Sequence, residues 1–101
     1  DDHECASLDE KTIDDFLTKN GIKHDKEPLY PHHPVLNPNT KKRGDWKVGD
    51  KIIEYFGLAG NIAYDERTKE KIQLAAETGI DLIGIYPDEV FDLDITLLKN
   101  L

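Results

Sequence analysis

The hairpin segment "DWKVGDKIIEYFG", residues 45–57, constrains the fold more than any other part of the chain. Strand-forming residues on both sides of Gly49-Asp50 predict two antiparallel strands joined by a tight turn. Side chains alternate between the two faces of a strand, and in "KIIEYFG" both faces carry apolar residues. Glu54 is the one acid among them. We therefore expect a strand that is covered on both sides and carries a carboxylate inside the core.

Asp45 is the predicted neighbour of Glu54. The two acids lie equally far from the turn, so a regular hairpin places them opposite each other, with Cβ atoms about 5 Å apart on one face. A buried carboxylate is costly unless it is paired, protonated or bound to a cation, and a divalent cation between two acids reverses their repulsion. Either Asp45 and Glu54 bind Mg²⁺ (or Mn²⁺), or one acid is exposed, or a different register gives each acid a lysine.

The rest of the chain predicts helices and strands in alternation. A crossover helix between the hairpin and the last strand favours a mixed sheet with helices on its faces. We therefore expect one α/β domain, residues 1–101, with a small mixed sheet flanked by helices. The expected elements are a helix over 8–20, a short edge strand near 26–30, a loop over 31–42, the hairpin, a helix over 64–78 that ends at Gly79, a strand over 80–86 and a terminal helix in "DLDITLLKNL".

Lys71 is the candidate cation for the two acids. On a helical wheel of 64–78 it shares the apolar side with Leu74, whereas Lys69 points the opposite way. Arg67 lies within reach of the same side. Lys71 therefore either points at the sheet or follows the helix edge with its ammonium group in water.

Glu10 lies on the inward side of the first helix, in line with Ile13 and Leu17. Ser7, three residues before it, makes a capping-box pattern. Glu10 is therefore either the capping acid of this helix or an acid that approaches the same site as Asp45 and Glu54.

Composition limits the partners. The net charge of −8 opposes a nucleic-acid partner when taken alone, but a local basic group surrounds Asp45. No run of 18 apolar residues and no signal-peptide pattern occurs, so we expect a cytoplasmic protein without membrane contact. The start of the chain reads as part of a longer protein. The basic group consists of Lys41, Lys42, Arg43 and Lys47.

Zinc is a weaker alternative. His3, Cys5 and the doublet His32-His33 are residues of ligand type, but their spacing matches no common zinc pattern. Trp46 reads as a core residue, with base stacking as the alternative. The single cysteine excludes an internal disulfide.

The order and spacing of these pieces resemble the PD-(D/E)XK nucleases, which have the restriction-endonuclease-like fold, and in particular small phage and bacterial domains of that fold. The resemblance spans about 7–87. Gly44 stands where the name-giving motif has proline, and Phe56 stands where it has lysine. The matching pieces are Ser7 with Glu10, "RGDW" at 43–46, "IEYFG" at 53–57, Tyr64 with Lys71, and "LIGIYP" at 82–87.

The resemblance implies a metal-dependent endonuclease that hydrolyses DNA. Asp45 and Glu54 would bind Mg²⁺ or Mn²⁺, Lys71 would take the role of the missing strand lysine, and Glu10 would assist. Lys41, Lys42, Arg43 and Lys47 would contact backbone phosphates. The acidic balance then predicts weak, salt-sensitive binding, with targeting by another domain or by a homodimer.

A non-catalytic acidic interaction module on the same fold is the alternative function. The net charge and the missing strand lysine favour it. Such a module would use residues 81–94 to bind a basic partner.

Overall fold

The protein is built on one mixed four-stranded sheet in the order β1-β2-β3-β4. The computed structural model describes residues 2–57 and 60–101, with side chains from residue 8 onward. The first three strands are antiparallel, and the fourth lies parallel to the third. The predicted mixed sheet is therefore confirmed. The strands are β1 (Asp25–Lys26), β2 (Trp46–Val48), β3 (Lys51–Tyr55) and β4 (Asp81–Ile85).

Helices cover both faces of this sheet. They are α1 (Asp2–Lys19), α2 (Ile62–Thr78) and α3 (Leu93–Thr96), and 3-10 turns occupy Pro87–Asp92 and Leu98–Asn100. α2 begins at the N-cap Asn61, whose side chain accepts a hydrogen bond from the Tyr64 N–H at 3.0 Å. It ends at Gly79, whose φ of 75° lies in the left-handed region that glycine adopts without strain. The crossover helix and its glycine stop are confirmed.

Three boundaries differ from the prediction. α1 begins at Asp2, because the residues before Ser7 include no proline or glycine that would stop a helix. Ser7 therefore lies within the helix, and the capping-box interpretation is wrong. The edge strand near 26–30 is reduced to β1 and an isolated bridge between Leu29 and Arg43. The predicted terminal helix is divided into α3 and a 3-10 turn, because the backbone at Leu97 (φ −113°, ψ −61°) departs from regular helix geometry.

Two apolar clusters pack on opposite sides of β3. Ile53 and Tyr55 face α1, and Ile52 faces α2, which confirms the expected burial of both faces. Trp46 belongs to the core, as predicted. The α1-side cluster contains Ile13, Leu17, Trp46, Ile53, Tyr55, Ile83, Ile85, Val90, Leu93 and Leu97. The α2-side cluster contains Tyr30, Ile52, Leu74 and Ala75.

A buried asparagine fixes the loop between β1 and β2. The Asn37 side chain donates to the carbonyl oxygens of Tyr30 (3.2 Å) and Pro31 (2.8 Å). Its oxygen accepts from the N–H groups of Lys41 and Lys42. A single side chain thus satisfies four backbone groups across the loop, and this places the Tyr30 ring against the α2 face of the sheet.

No helix within residues 2–57 and 60–101 is long and apolar enough to cross a membrane.

Asp14 connects α1 to the sheet through a hydrogen bond from Trp46 of β2. Its Oδ1 accepts from Trp46 Nε1 at 3.1 Å and lies 3.0 Å from His24 Nε2. Partial burial alone would raise the pKa of Asp14, but the hydrogen bonds from Trp46 and His24 lower it overall from 3.8. The ionised carboxylate thus stabilises the fold above the unfolded pKa, and this contribution disappears as the pH falls through the lowered folded pKa.

We expect Asp14→Asn to reduce the free energy of unfolding by about 1 kcal/mol at pH 7. The melting temperatures of variant and wild type should converge as the pH falls from about 5 to about 2, which thermal melts followed by circular dichroism would measure. Asp15→Asn is the control, because Asp15 is exposed and its ion pair is the surface contact with Lys11, at 3.7 Å. A constant difference between Asp14→Asn and wild type over this range would contradict the assignment.

Candidate functional site

Glu54 is buried in the middle of the sheet, with 3 % of its surface exposed. Its Oε1 lies 3.0 Å from the ammonium nitrogen of Lys71, and its Oε2 accepts from the Tyr30 hydroxyl at 2.5 Å. Lys71 also donates to the carbonyl oxygen of Arg43 at 2.9 Å. Of the two alternatives for Lys71, the structure therefore shows the one in which the side chain points at the sheet and reaches Glu54.

Asp45 reaches the same place by a different route from the predicted one. The regular ladder ends at Trp46 opposite Ile53, and the Asp45 N–H also donates to the Ile53 carbonyl, at 3.2 Å. Two residues of one strand therefore oppose one residue of the other, which is the arrangement of a β-bulge. The prediction of a directly opposed Asp45–Glu54 pair is corrected accordingly. Bulges re-aim side chains, and here the Asp45 Oδ2 accepts from the Tyr55 N–H at 2.7 Å.

A cavity of about 250 Å³ brings the four predicted site residues together. Asp45 and Glu54 contribute from the hairpin, Lys71 from α2 and Glu10 from α1. Tyr64 joins them from the first turns of α2, and its hydroxyl donates to the Tyr55 carbonyl at 3.1 Å. The cavity therefore lies at the end of the hairpin, between the two helices.

The electrostatics of the cavity are those of crowded, desolvated acids. Burial raises the pKa of Glu54, while Lys71 and Tyr30 lower it and Asp45 raises it further. Burial also raises the pKa of Asp45, against the Tyr55 N–H and Lys71, which lower it. Burial and the nearby carboxylates raise the pKa of Tyr64 to about 12. The site therefore favours an additional positive charge over the ionised acids alone.

Tyr30 is the contributor that the sequence did not reveal. Its ring is 1 % exposed, and burial together with Glu54 raises the pKa of its hydroxyl, so it stays a hydrogen-bond donor. It lies in a proline-rich segment, "PLYPHHP", without strand or helix periodicity. In the sequence, Tyr30 is distinguished as an aromatic residue between prolines, and this pattern does not indicate a partner for Glu54.

Phe56 fills the position where the nuclease pattern has lysine. It is buried on the α2 face, and its ring lies over the backbone of Gly84 and 5.3 Å from the Tyr86 ring. A Cβ atom at position 84 would approach this ring to 2.6 Å, so Gly84 and Phe56 fit each other. Position 56 is therefore part of the core.

The four basic residues lie around the cavity rather than in its wall. Lys42 pairs with Glu70 at 3.1 Å, and Arg43 donates to the Glu27 carbonyl at 2.8 Å. Lys41 and Lys47 are exposed. As far as the described residues show, none of the four side chains lines the cavity that holds Glu54.

The His32-His33 doublet, one half of the predicted zinc alternative, has an exposed first residue and a second residue that makes hydrogen bonds within the loop. The side chains of His3 and Cys5 lie outside the described residues. His33 accepts from the N–H groups of Val35 and Leu36 through Nδ1, and its Nε2 lies 3.0 Å from Glu77 Oε1. His33 thus serves the loop, and His32 is exposed.

The donor chemistry of the cavity fits a hard divalent cation. Mg²⁺ is usually held by one or two carboxylates together with water and substrate phosphates, and Asp45 and Glu54 supply two carboxylates at one point. Within the part of the chain that the structure describes, no group of three or more His, Cys, Asp or Glu residues is arranged to hold a metal. A site here would therefore be completed by water or substrate.

Comparison with known proteins does not assign a family: no family model, no curated protein and no solved structure matches the chain.

The hydrogen bond from Tyr30 to Glu54 can be tested directly by removing the Tyr30 hydroxyl group. We expect Tyr30→Phe to lower the free energy of unfolding by about 1–3 kcal/mol, because it leaves Oε2 of a buried carboxylate without its donor. Urea unfolding at pH 7 would measure the change. Tyr86→Phe is the control, because Tyr86 is 39 % exposed and the hydroxyl group from which Glu54 accepts belongs to Tyr30. Equal losses in the two variants would show that the Tyr30–Glu54 hydrogen bond adds nothing.

Proposed function

We propose that the protein is a metal-dependent deoxyribonuclease that hydrolyses phosphodiester bonds, with a restriction-endonuclease-like core of the PD-(D/E)XK kind. The observation that carries the proposal is the meeting of Asp45, Glu54 and Lys71 in one cavity, with Lys71 in contact with Glu54. The order of helix, hairpin, helix and parallel strand supports it, because the resemblance places its pieces in this order.

The proposed roles follow from the position of each group. Asp45 and Glu54 would hold Mg²⁺ or Mn²⁺, and the bound ion would supply charge neutralisation at the phosphate and lower the pKa of a bound water. Lys71, on the helix that covers the site, offsets charge on the phosphoryl oxygens or orients the attacking water. Glu10, which lines the cavity from α1, would bind a second metal ion or hold the first through water. Tyr30 keeps Glu54 in place.

Substrate binding has to overcome the acidic charge of the chain. Lys41 and Lys47 are exposed near the hairpin and can contact backbone phosphates, whereas Lys42 and Arg43 are engaged within the protein. With a net charge of −8, the binding should be weak and steeply salt-dependent. A partner domain or a second copy of the chain would then supply most of the affinity for DNA.

The nuclease proposal predicts loss of cleavage on neutralising the site. We expect Glu54→Gln, Asp45→Asn and Lys71→Ala each to reduce the rate of plasmid nicking in Mg²⁺ or Mn²⁺ by about 100-fold or more, because the first two remove a proposed metal ligand and the third removes the cation that acts on the phosphate. Gel analysis of nicked plasmid gives the rate, and circular dichroism confirms folding.

Glu66→Gln is the matched control, because Glu66 lies on the exposed side of the same helix as Lys71. It should cleave like the wild type, and EDTA should abolish both activities. Cleavage by Glu54→Gln at the wild-type rate would rule out the assigned site.

One observation favours a second function, a non-catalytic interaction module. Both oxygens of Glu54 already have protein partners, Lys71 and Tyr30, as in a structural ion pair. The terminal segment also exposes Phe91, at 88 %, among the exposed acids Asp88, Asp92 and Asp94. That surface would suit a basic partner with an apolar side chain.

Calorimetric titration with Mn²⁺ separates the two functions. For the nuclease we expect binding at millimolar or lower concentration that disappears in Asp45→Asn, because Asp45 is a proposed ligand. Asp81→Asn should keep it, since Asp81 is exposed and pairs with Lys51 at 2.6 Å, away from the cavity. No heat from the wild type, together with no DNA cleavage, would favour the interaction module.

A further inference from the structure

A second, smaller cavity adjoins the candidate site. Its volume is about 60 Å³, and it shares Tyr64 and Lys71 with the cavity that holds Glu54. The other residues that line it are Phe56, Arg67 and Thr68. It therefore combines an aromatic wall with two cationic side chains and the Thr68 hydroxyl group, and one of its cations, Lys71, is the residue that contacts Glu54.

The arginine of this cavity is held toward it. Arg67 precedes Lys71 by one helical turn, so the two side chains lie on the same side of α2. The guanidinium carbon of Arg67 lies 5.9 Å from the centre of the Tyr64 ring, a distance at which a cation is attracted to the ring face. This contact holds the guanidinium group beside Tyr64, in the wall of the smaller cavity.

Arg67 also differs in its charge balance from Lys42 and Lys71, two other cations that approach α2 or lie on it. Lys42 pairs with Glu70, and Lys71 with Glu54. Among the residues that the structure describes, Arg67 makes no ion pair with an acid. Its guanidinium group lies over the Tyr64 ring instead. In a protein with a net charge of −8, such a cation beside three acids points to an anionic ligand.

We propose that Arg67, with the Thr68 hydroxyl, forms a subsite for a second backbone phosphate, next to the phosphate at the Asp45–Glu54 site. This inference rests on the proposed nuclease function. The planar guanidinium group presents two parallel N–H donors that match two phosphate oxygens, and a threonine hydroxyl adds a third donor. The small volume suits a single phosphate group and excludes a nucleobase.

The subsite explains how a polyanion can approach this acidic cavity. Asp45, Glu54 and Glu10 repel a nucleic acid, and Lys71 is engaged by Glu54. Arg67 attracts the phosphate backbone from the adjoining smaller cavity, one turn of α2 away from Lys71. Because Arg67 contacts the neighbouring phosphate, it should govern substrate binding rather than the chemical step.

The test compares Arg67→Ala, Arg67→Lys and the control Lys69→Ala. Lys69 is exposed on the opposite side of α2, so its removal changes the net charge by the same amount without touching the subsite. Binding of a fluorescent DNA duplex is measured by anisotropy with Ca²⁺ in place of Mg²⁺, over about 20–200 mM salt. Cleavage kinetics of the same duplex are then measured in Mg²⁺.

We expect Arg67→Ala to raise the KM by about tenfold with little change in kcat, and to reduce the slope of log affinity against log salt by about 0.9. Arg67→Lys should keep the salt slope and recover only part of the affinity, because lysine keeps the charge but lacks the planar fork. Lys69→Ala should resemble the wild type in KM.

Two results would overturn the subsite in distinguishable ways. If the wild type cleaves DNA and Arg67→Ala matches Lys69→Ala in KM and salt slope, the subsite is wrong and the nuclease function stands. If the wild type neither binds nor cleaves DNA, the proposed function and the subsite that rests on it both fall.

Discussion

The ion pair and hydrogen bond around Glu54 organise one whole side of the protein. The carboxylate belongs to β3, its cation Lys71 to α2 and its hydroxyl donor Tyr30 to the loop that Asn37 fixes. Removing one partner from a buried charge typically costs about 3–5 kcal/mol, so these three segments are bound to one another by a requirement for charge compensation. The position of α2 on the sheet is therefore tied to the position of an acid.

The two faces of the sheet differ in the size of the apolar cluster that they bury. On the α1 side, the cluster around Ile53 is apolar, and its burial stabilises the domain. On the α2 side, the apolar cluster is smaller, and Glu54 lies on the same strand face between the buried side chains of Ile52 and Phe56. Apolar packing therefore supports, from both sides, a carboxylate that itself opposes burial. The pKa values of Glu54 and Asp45 are both raised. Acids with raised pKa values in a cleft are common at functional sites, although their burial costs stability.

The sequence predicted the elements and the composition of the candidate site, but not how the site is assembled. Periodicity sufficed for α2, because the wheel position of Lys71 depends only on helical geometry. The hairpin turn fixed the register of Trp46 to Val48, but the bulge at Asp45 depends on tertiary contacts of the strand ends, which no local pattern carries. Tyr30 was missed for a similar reason, since a loop between prolines has no period from which to infer a partner 24 residues away. The prediction of one terminal helix was wrong because its inward apolar residues, Leu93 and Leu97, are buried equally well by a short helix followed by a 3-10 turn.

The same contacts also indicate which partner of Glu54 can change. Tyr30 is 1 % exposed and lies inside the α2-side cluster, so it cannot leave without disturbing the core. The Lys71 side chain is 25 % exposed at the end of a flexible stem, and its second hydrogen bond goes to a backbone carbonyl, that of Arg43. Under the proposed function, a cation held by Asp45 and Glu54 would take over the compensation of their charge. Lys71 would then be the group released toward the phosphate, while Tyr30 kept the carboxylate in place. The missing strand lysine is consistent with this arrangement, because a lysine on a covering helix can pair with the acid at rest and turn to the substrate without any change in the sheet.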